Sequence, residues 1–202
     1  MGKNFERNLP QGYKMAKAID AKEAKFGIIF NLISIATLIV VTVVAFLFLG
    51  EVKWSEAFDE GVFAGLFVWL IAMLAYIVLH ELTHGLAYKA LTKEKLAFGM
   101  SWSCAYCGVP DIFTYRKTTM ISVLAPFVVF TVVLLPLTVW LYFVNPLAYL
   151  GSAFLLGLHL GGCSGDLFVF GLLVCKFKDK RTLVRDTGPQ QYFFVPENEE
   201  DF

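Results

Sequence analysis

The run Ile77-Val78-Leu79-His80-Glu81-Leu82-Thr83-His84-Gly85 sets two histidines four residues apart, with a glutamate beside the first, inside an otherwise apolar stretch. On a helix, residues four apart stand on one face. His80 and His84 can therefore offer two imidazoles to one metal ion while Glu81 sits beside them as general base. The chemistry this suggests is hydrolysis assisted by Zn2+ within a bilayer.

Composition says what kind of element must hold these residues. The chain of 202 residues is 57% hydrophobic and 17% charged, with a mean hydropathy of +0.65, far more apolar than an ordinary soluble domain. Four apolar stretches, 26–49, 62–91, 119–144 and 147–175, each exceed the roughly 20 residues of helix needed to cross a hydrocarbon core. The expected fold is a membrane all-α bundle of four transmembrane helices. Residues 1–25 form a cytosolic N-terminal segment without the features of a signal peptide, and 176–202 form a cytosolic tail.

Between the second and third spans, Phe98, Met100, Trp102, Cys104 and Tyr106 alternate with smaller residues, and Gly108-Val109-Pro110-Asp111 supplies a turn. That period of two predicts a small β-hairpin over 95–117. Such a hairpin either closes the membrane surface structurally or adds an extended substrate as a strand. Cys104 and Cys107 make a lone C-x-x-C pair and read as small apolar residues of the hairpin.

Lys and Arg concentrate in three segments: Lys3 to Lys25, Lys93 to Lys117 and Lys176 to Arg185. The positive-inside rule puts all three, and so both termini, on the cytoplasmic side of the cell membrane. The loop carrying Glu51, Lys53, Glu56, Asp59 and Glu60 falls outside. A net charge of zero gives no reason to invoke nucleic acid, and anionic lipid headgroups account for the basic flanks.

Topology turns position into depth. His80 lies about 18 residues past residue 62, about 27 Å along the axis, which is the cytoplasmic leaflet. Asp166, the only acid of the fourth span, lies about 19 residues past residue 147, about 28 Å along. A carboxylate in a span needs a partner, and zinc beside two histidines commonly takes one, so Asp166 is the expected third ligand. His159 competes for that role, but it precedes Asp166 by two turns and reads better as a polar group hydrogen-bonded between helices. Gly157, Gly161 and Gly165, spaced by four, mark a groove through which the second span could approach Asp166. Pro126 and Pro136 each remove a backbone donor from the third span.

The membrane-embedded His80-Glu81-Leu82-Thr83-His84, the hairpin, a further span and then Asp166 resemble the core of the site-2 protease class of intramembrane zinc metalloproteases. More closely, 62–175 resembles the small bacterial membrane proteins grouped as putative zincin peptidases. The resemblance implies a zinc-dependent endopeptidase acting on a membrane protein or peptide, with His80, His84 and Asp166 as ligands and Glu81 as the catalytic glutamate. Thr83 stands where site-2 proteases commonly have glycine, and Gly165 and Leu167 flank Asp166 in the reverse of the usual order. Two other classes remain open, a non-catalytic metal-binding scaffold and a small metal transporter. Substrate, oligomeric state and the role of the tail are not encoded in any recognisable motif.

Overall fold

The computed structural model describes residues 3–21, 23–50, 62–101 and 105–197. Lys22, the acidic loop at 51–61, Trp102 and Cys104 lie outside them. Five helices are described: α1 Ala24–Phe48, α2 Val62–Thr92, α3 Arg116–Tyr142, α4 Pro146–Gly162 and α5 Ser164–Cys175. As helices these apolar runs satisfy their backbone N–H and C=O groups within the segment, as a span in lipid would require. Three of the described helices are long and apolar enough to cross a membrane, or four if α4 and α5 together count as one.

The helix ends follow from local chemistry. Asn145 caps α4 by accepting the Ala148 N–H at 2.9 Å, with Pro146 in the first turn where its missing donor costs nothing. Lys89 closes α2 by donating from Nζ to the carbonyls of Lys93 and Glu94 at 3.2 and 3.0 Å. The expected fourth span is interrupted at Cys163, where the run Gly161-Gly162-Cys163-Ser164-Gly165 offers little helix propensity.

The expectation of one hairpin over 95–117 is corrected. Seven strands are described: β1 Phe5–Glu6, β2 Tyr13–Asp20, β3 Ala97–Met100, β4 Ala105–Gly108, β5 Phe113–Tyr115, β6 Leu183–Asp186 and β7 Gln190–Pro196. Only β3 and β4 form the predicted hairpin, with Phe98 opposite Cys107. β5 instead joins a five-stranded antiparallel sheet ordered β1-β5-β6-β7-β2. The segments expected as a cytosolic lead and tail thus supply four of its five strands. Cys107 is buried in β4, and burial pushes its thiol up to about 12, so it is a small apolar group rather than a thiolate.

The chain divides into two compact units. The first comprises Met1–Ile29, His80–Pro126 and Gly165–Phe202. Its core sets Ile19, Val184, Phe193 and Val195 of the sheet against Val123 of α3 and Val169 and Leu173 of α5, with the Phe177 and Phe193 rings stacked at 4.8 Å. Asn4 ties two helix ends together: its side chain donates to Leu91 O of α2 at 2.7 Å, and its carbonyl accepts from Thr118 Oγ1 at 2.9 Å. At the last turns of α2, buried Tyr88 donates to Asp186 Oδ2 of β6 at 2.7 Å. The other Asp186 oxygen accepts the Gly188 N–H at 2.9 Å.

The second unit comprises Phe30–Leu79 and Phe127–Ser164. Here the glycine groove of α4 corrects the expectation about its partner. A Cβ on Gly161 would lie 2.6 Å from Ser34 O and one on Gly157 3.2 Å from Leu38 Cα, so α1, not α2, fills it. Ser34 Oγ seals the contact by donating to Gly161 O at 2.7 Å. Small residues announce close approach without naming the neighbour. His159 is fully buried, with Nδ1 3.0 Å from Tyr76 Oη and Nε2 3.0 Å from Thr131 Oγ1, a three-helix polar link packed against Phe127 and Phe130. Cys163 Sγ lies 3.6 Å from the same Nδ1.

Gly161→Val should lower the thermal midpoint in detergent, at a cost of about 1–3 kcal/mol for overpacking a backbone contact. Gly171→Ala in α5, where a Cβ meets nothing within 4 Å, should be neutral or stabilising. Burial raises the Asp186 carboxyl from 3.8 to about 6, so between those values the folded chain holds more protons than the unfolded one. Its contribution to stability is therefore present at low pH and is lost as pH rises through about 6. The slope of thermal midpoint against pH in that window should flatten in Asp186→Asn.

Candidate metal centre

The candidate ligands lie in the first unit, on the ends of two helices. His80 and His84 stand one turn apart on α2, both buried, with ring centroids 5.0 Å apart. Asp166 sits in the first turn of α5, where the positive end of the helix dipole favours a carboxylate. The break at Cys163 is what gives Asp166 that N-terminal position; an unbroken fourth span would have placed it mid-helix.

Asp166 Oδ2 is 3.3 Å from His80 Nε2 and 3.3 Å from His84 Nε2. These three donor atoms all lie within 4.8 Å of one another. A tetrahedral zinc with bonds of about 2.0–2.1 Å holds its ligand atoms about 3.3–3.4 Å apart. Two imidazole nitrogens and one carboxylate oxygen also form a donor set that zinc accepts while keeping a position open. Donor type and the two imidazole–carboxylate spacings fit the ion.

One nitrogen of His84 is fixed by the backbone. Its Nδ1 lies 2.8 Å from Ser122 O in α3. In a regular helix that carbonyl would accept the N–H four residues on, but that residue is Pro126, which has none. The freed carbonyl can only accept, so Nδ1 carries a proton, and Nε2 is the nitrogen that would offer a lone pair to a metal. The sequence shows Pro126 removing a backbone donor from the third span; its larger role is at the acceptor it strands four residues earlier, Ser122 O.

Other residues set the position of α2. A Cβ on Gly85 would lie 2.7 Å from the tip of the Phe98 ring, so the bare backbone next to His84 gives that side chain of β3 its place against the helix. Tyr88, one turn beyond His84, is anchored to Asp186 as described. Glu81 is half-buried beside His80. His159 is held by Tyr76 and Thr131 within the second unit, with a hydroxyl at each ring nitrogen. Of the residues weighed for the third ligand, Asp166 is the one the structure brings to His80 and His84.

Residues 73–181 match the model of a family described as "Putative zincin peptidase". No curated protein and no solved structure matches the chain. The matched stretch holds His80, Glu81, His84, Ser122, Pro126 and Asp166, and it spans more than half of the sequence. The chain therefore belongs to this zincin peptidase family.

Proposed function

We propose that the protein is an intramembrane zinc endopeptidase that cleaves membrane-associated protein or peptide substrates near the cytoplasmic surface. The observation that carries this reading is the pair of 3.3 Å separations placing Asp166 Oδ2 against both histidine Nε2 atoms. His80, His84 and Asp166 would hold the ion. Zinc, when bound, supplies Lewis acidity that polarises a peptide carbonyl and acidifies water. Glu81, beside His80, takes the proton of the attacking water on its carboxylate and returns it to the leaving nitrogen. Ser122 O keeps His84 in the tautomer that leaves Nε2 unprotonated.

The membrane setting is supported by the apolar helices that carry the ligands, and the cytoplasmic side by the Lys and Arg segments flanking them. His84 lies only 8 residues before the end of α2, about 12 Å of helix, so a substrate would be cut close to the interface.

Elemental analysis of purified protein should find about one zinc per chain, lost in His80→Ala and in Asp166→Ala; full retention in the latter would assign the third ligand elsewhere. In proteoliposomes carrying a membrane-anchored fluorogenic peptide library, Glu81→Gln should reduce cleavage by about 10²–10⁴-fold while zinc stays bound. Unchanged cleavage would remove Glu81 from the chemistry, and wild-type zinc binding with no cleavage of any library member would favour a metal-binding scaffold. Pro126→Ala, which restores a competing N–H donor to Ser122 O, should weaken zinc affinity about tenfold, read by competition with a chromophoric chelator.

A further inference from the structure

The start of α3 runs against the helix dipole. Arg116 and Lys117 occupy its first turn, which contains no acidic residue, although that end of a helix favours negative charge. Beside them is a cleft of about 410 Å³. Lys180 and Lys3 add cations to its wall, while Met120, Leu124 and Phe170 form an apolar floor. All of these residues belong to the first unit.

The charge is not cancelled locally. Lys3 pairs with Glu6 at 2.6 Å, but Lys117 and Lys180 are in no ion pair among the described residues. Arg116 is oriented by one bond, Nε to Leu173 O at 2.7 Å, which leaves the rest of its guanidinium donors for another acceptor. Among the described residues, no acidic side chain lines the cleft. Two cations of the α3 start and Lys180 of the turn before β6 therefore share one concavity, with no acidic side chain among the described residues in its lining.

Location separates the possible anions. Arg116 and Lys117 stand where the apolar span Arg116–Tyr142 begins, and the floor is made by Met120 and Leu124 of its first turns with Phe170 of α5. A soluble anion would use the cations and leave the floor exposed. A phospholipid uses both, with its phosphate among Arg116, Lys117 and Lys180 and an acyl chain along Met120, Leu124 and Phe170. We propose that this cleft binds an anionic phospholipid, its headgroup held by Arg116, Lys117 and Lys180.

The full chain, released from nanodiscs of mixed phosphatidylglycerol and phosphatidylcholine, can be weighed intact by native mass spectrometry to count retained lipid. One phosphatidylglycerol should be retained about tenfold more than phosphatidylcholine, and the Lys117→Gln/Lys180→Gln variant should lose about tenfold of that retention. The control Lys176→Gln/Lys178→Gln, two exposed cations that do not line the cleft, should retain the lipid as wild type does. Equal retention of the two lipids, no loss in the first variant, or an equal loss in the control would each overturn the site. Displacement of phosphatidylglycerol by excess inorganic phosphate would overturn the lipid assignment in favour of a soluble anion. Matching thermal midpoints for both variants in phosphatidylcholine alone would show that the lysines act on the lipid and not on the fold; a lower midpoint confined to the first variant would count against the proposal.

Discussion

Ionisable side chains in apolar helices persist only when something compensates them, and here one carboxylate oxygen stands 3.3 Å from each of two imidazole nitrogens. That cluster sets conditions on the surrounding fold. Asp166 must begin a helix, so the fourth apolar stretch breaks at Cys163. His84 needs an acceptor for its second nitrogen, so α3 must present a carbonyl that its own ladder does not use. Both conditions are met through backbone chemistry, a run of small residues in one case and a proline in the other. Neither device requires a further polar side chain in the apolar segments.

The same logic distinguishes the two polar clusters inside the helices. His159 has a hydroxyl 3.0 Å from each ring nitrogen, an arrangement that satisfies both and links three helices. His80 and His84 instead direct one nitrogen each at a shared carboxylate. A histidine with a hydroxyl at each nitrogen links helices, whereas a pair of histidines converging on one acid is a candidate donor set for a metal. Their sequence context, an imidazole in a hydrophobic run, is nearly the same, and partners alone separate them.

What could be read from the sequence tracks the range of the interaction. The His-Glu-x-x-His spacing is local, and so is the alternation that predicts β3 and β4. Matching depths found Asp166 because helix rise converts residue counts into distance. The five-stranded sheet was not legible, because β1 pairs with β5 and β2 with β7 across more than a hundred residues, and short strands carry no mark of a distant partner. The glycine stripe of α4 announced a close neighbour but not which helix it would be. The Ser122 carbonyl was legible in principle, since a proline always strands the acceptor four residues before it.

The sheet has a mechanical relation to the ligands that its position outside the membrane helices conceals. α2 and α5 carry the ligands, and each is held by a strand from the far end of the chain: Tyr88 of α2 by Asp186 of β6, and Leu173 of α5 by packing with Phe193 of β7. These strands lie beyond residue 181, where the family match stops, and β2, which completes the sheet, lies before it. In the proposed metal centre the helices carrying His80, His84 and Asp166 could not drift by much, because a tetrahedral ion tolerates only a few tenths of an ångström in the spacing of its donor atoms. Lipid-facing helices have no hydrophobic drive to stay in register with one another. A sheet with a core of its own between strands and helix ends supplies that drive, and so apolar burial between strands and helices holds His80, His84 and Asp166 in register.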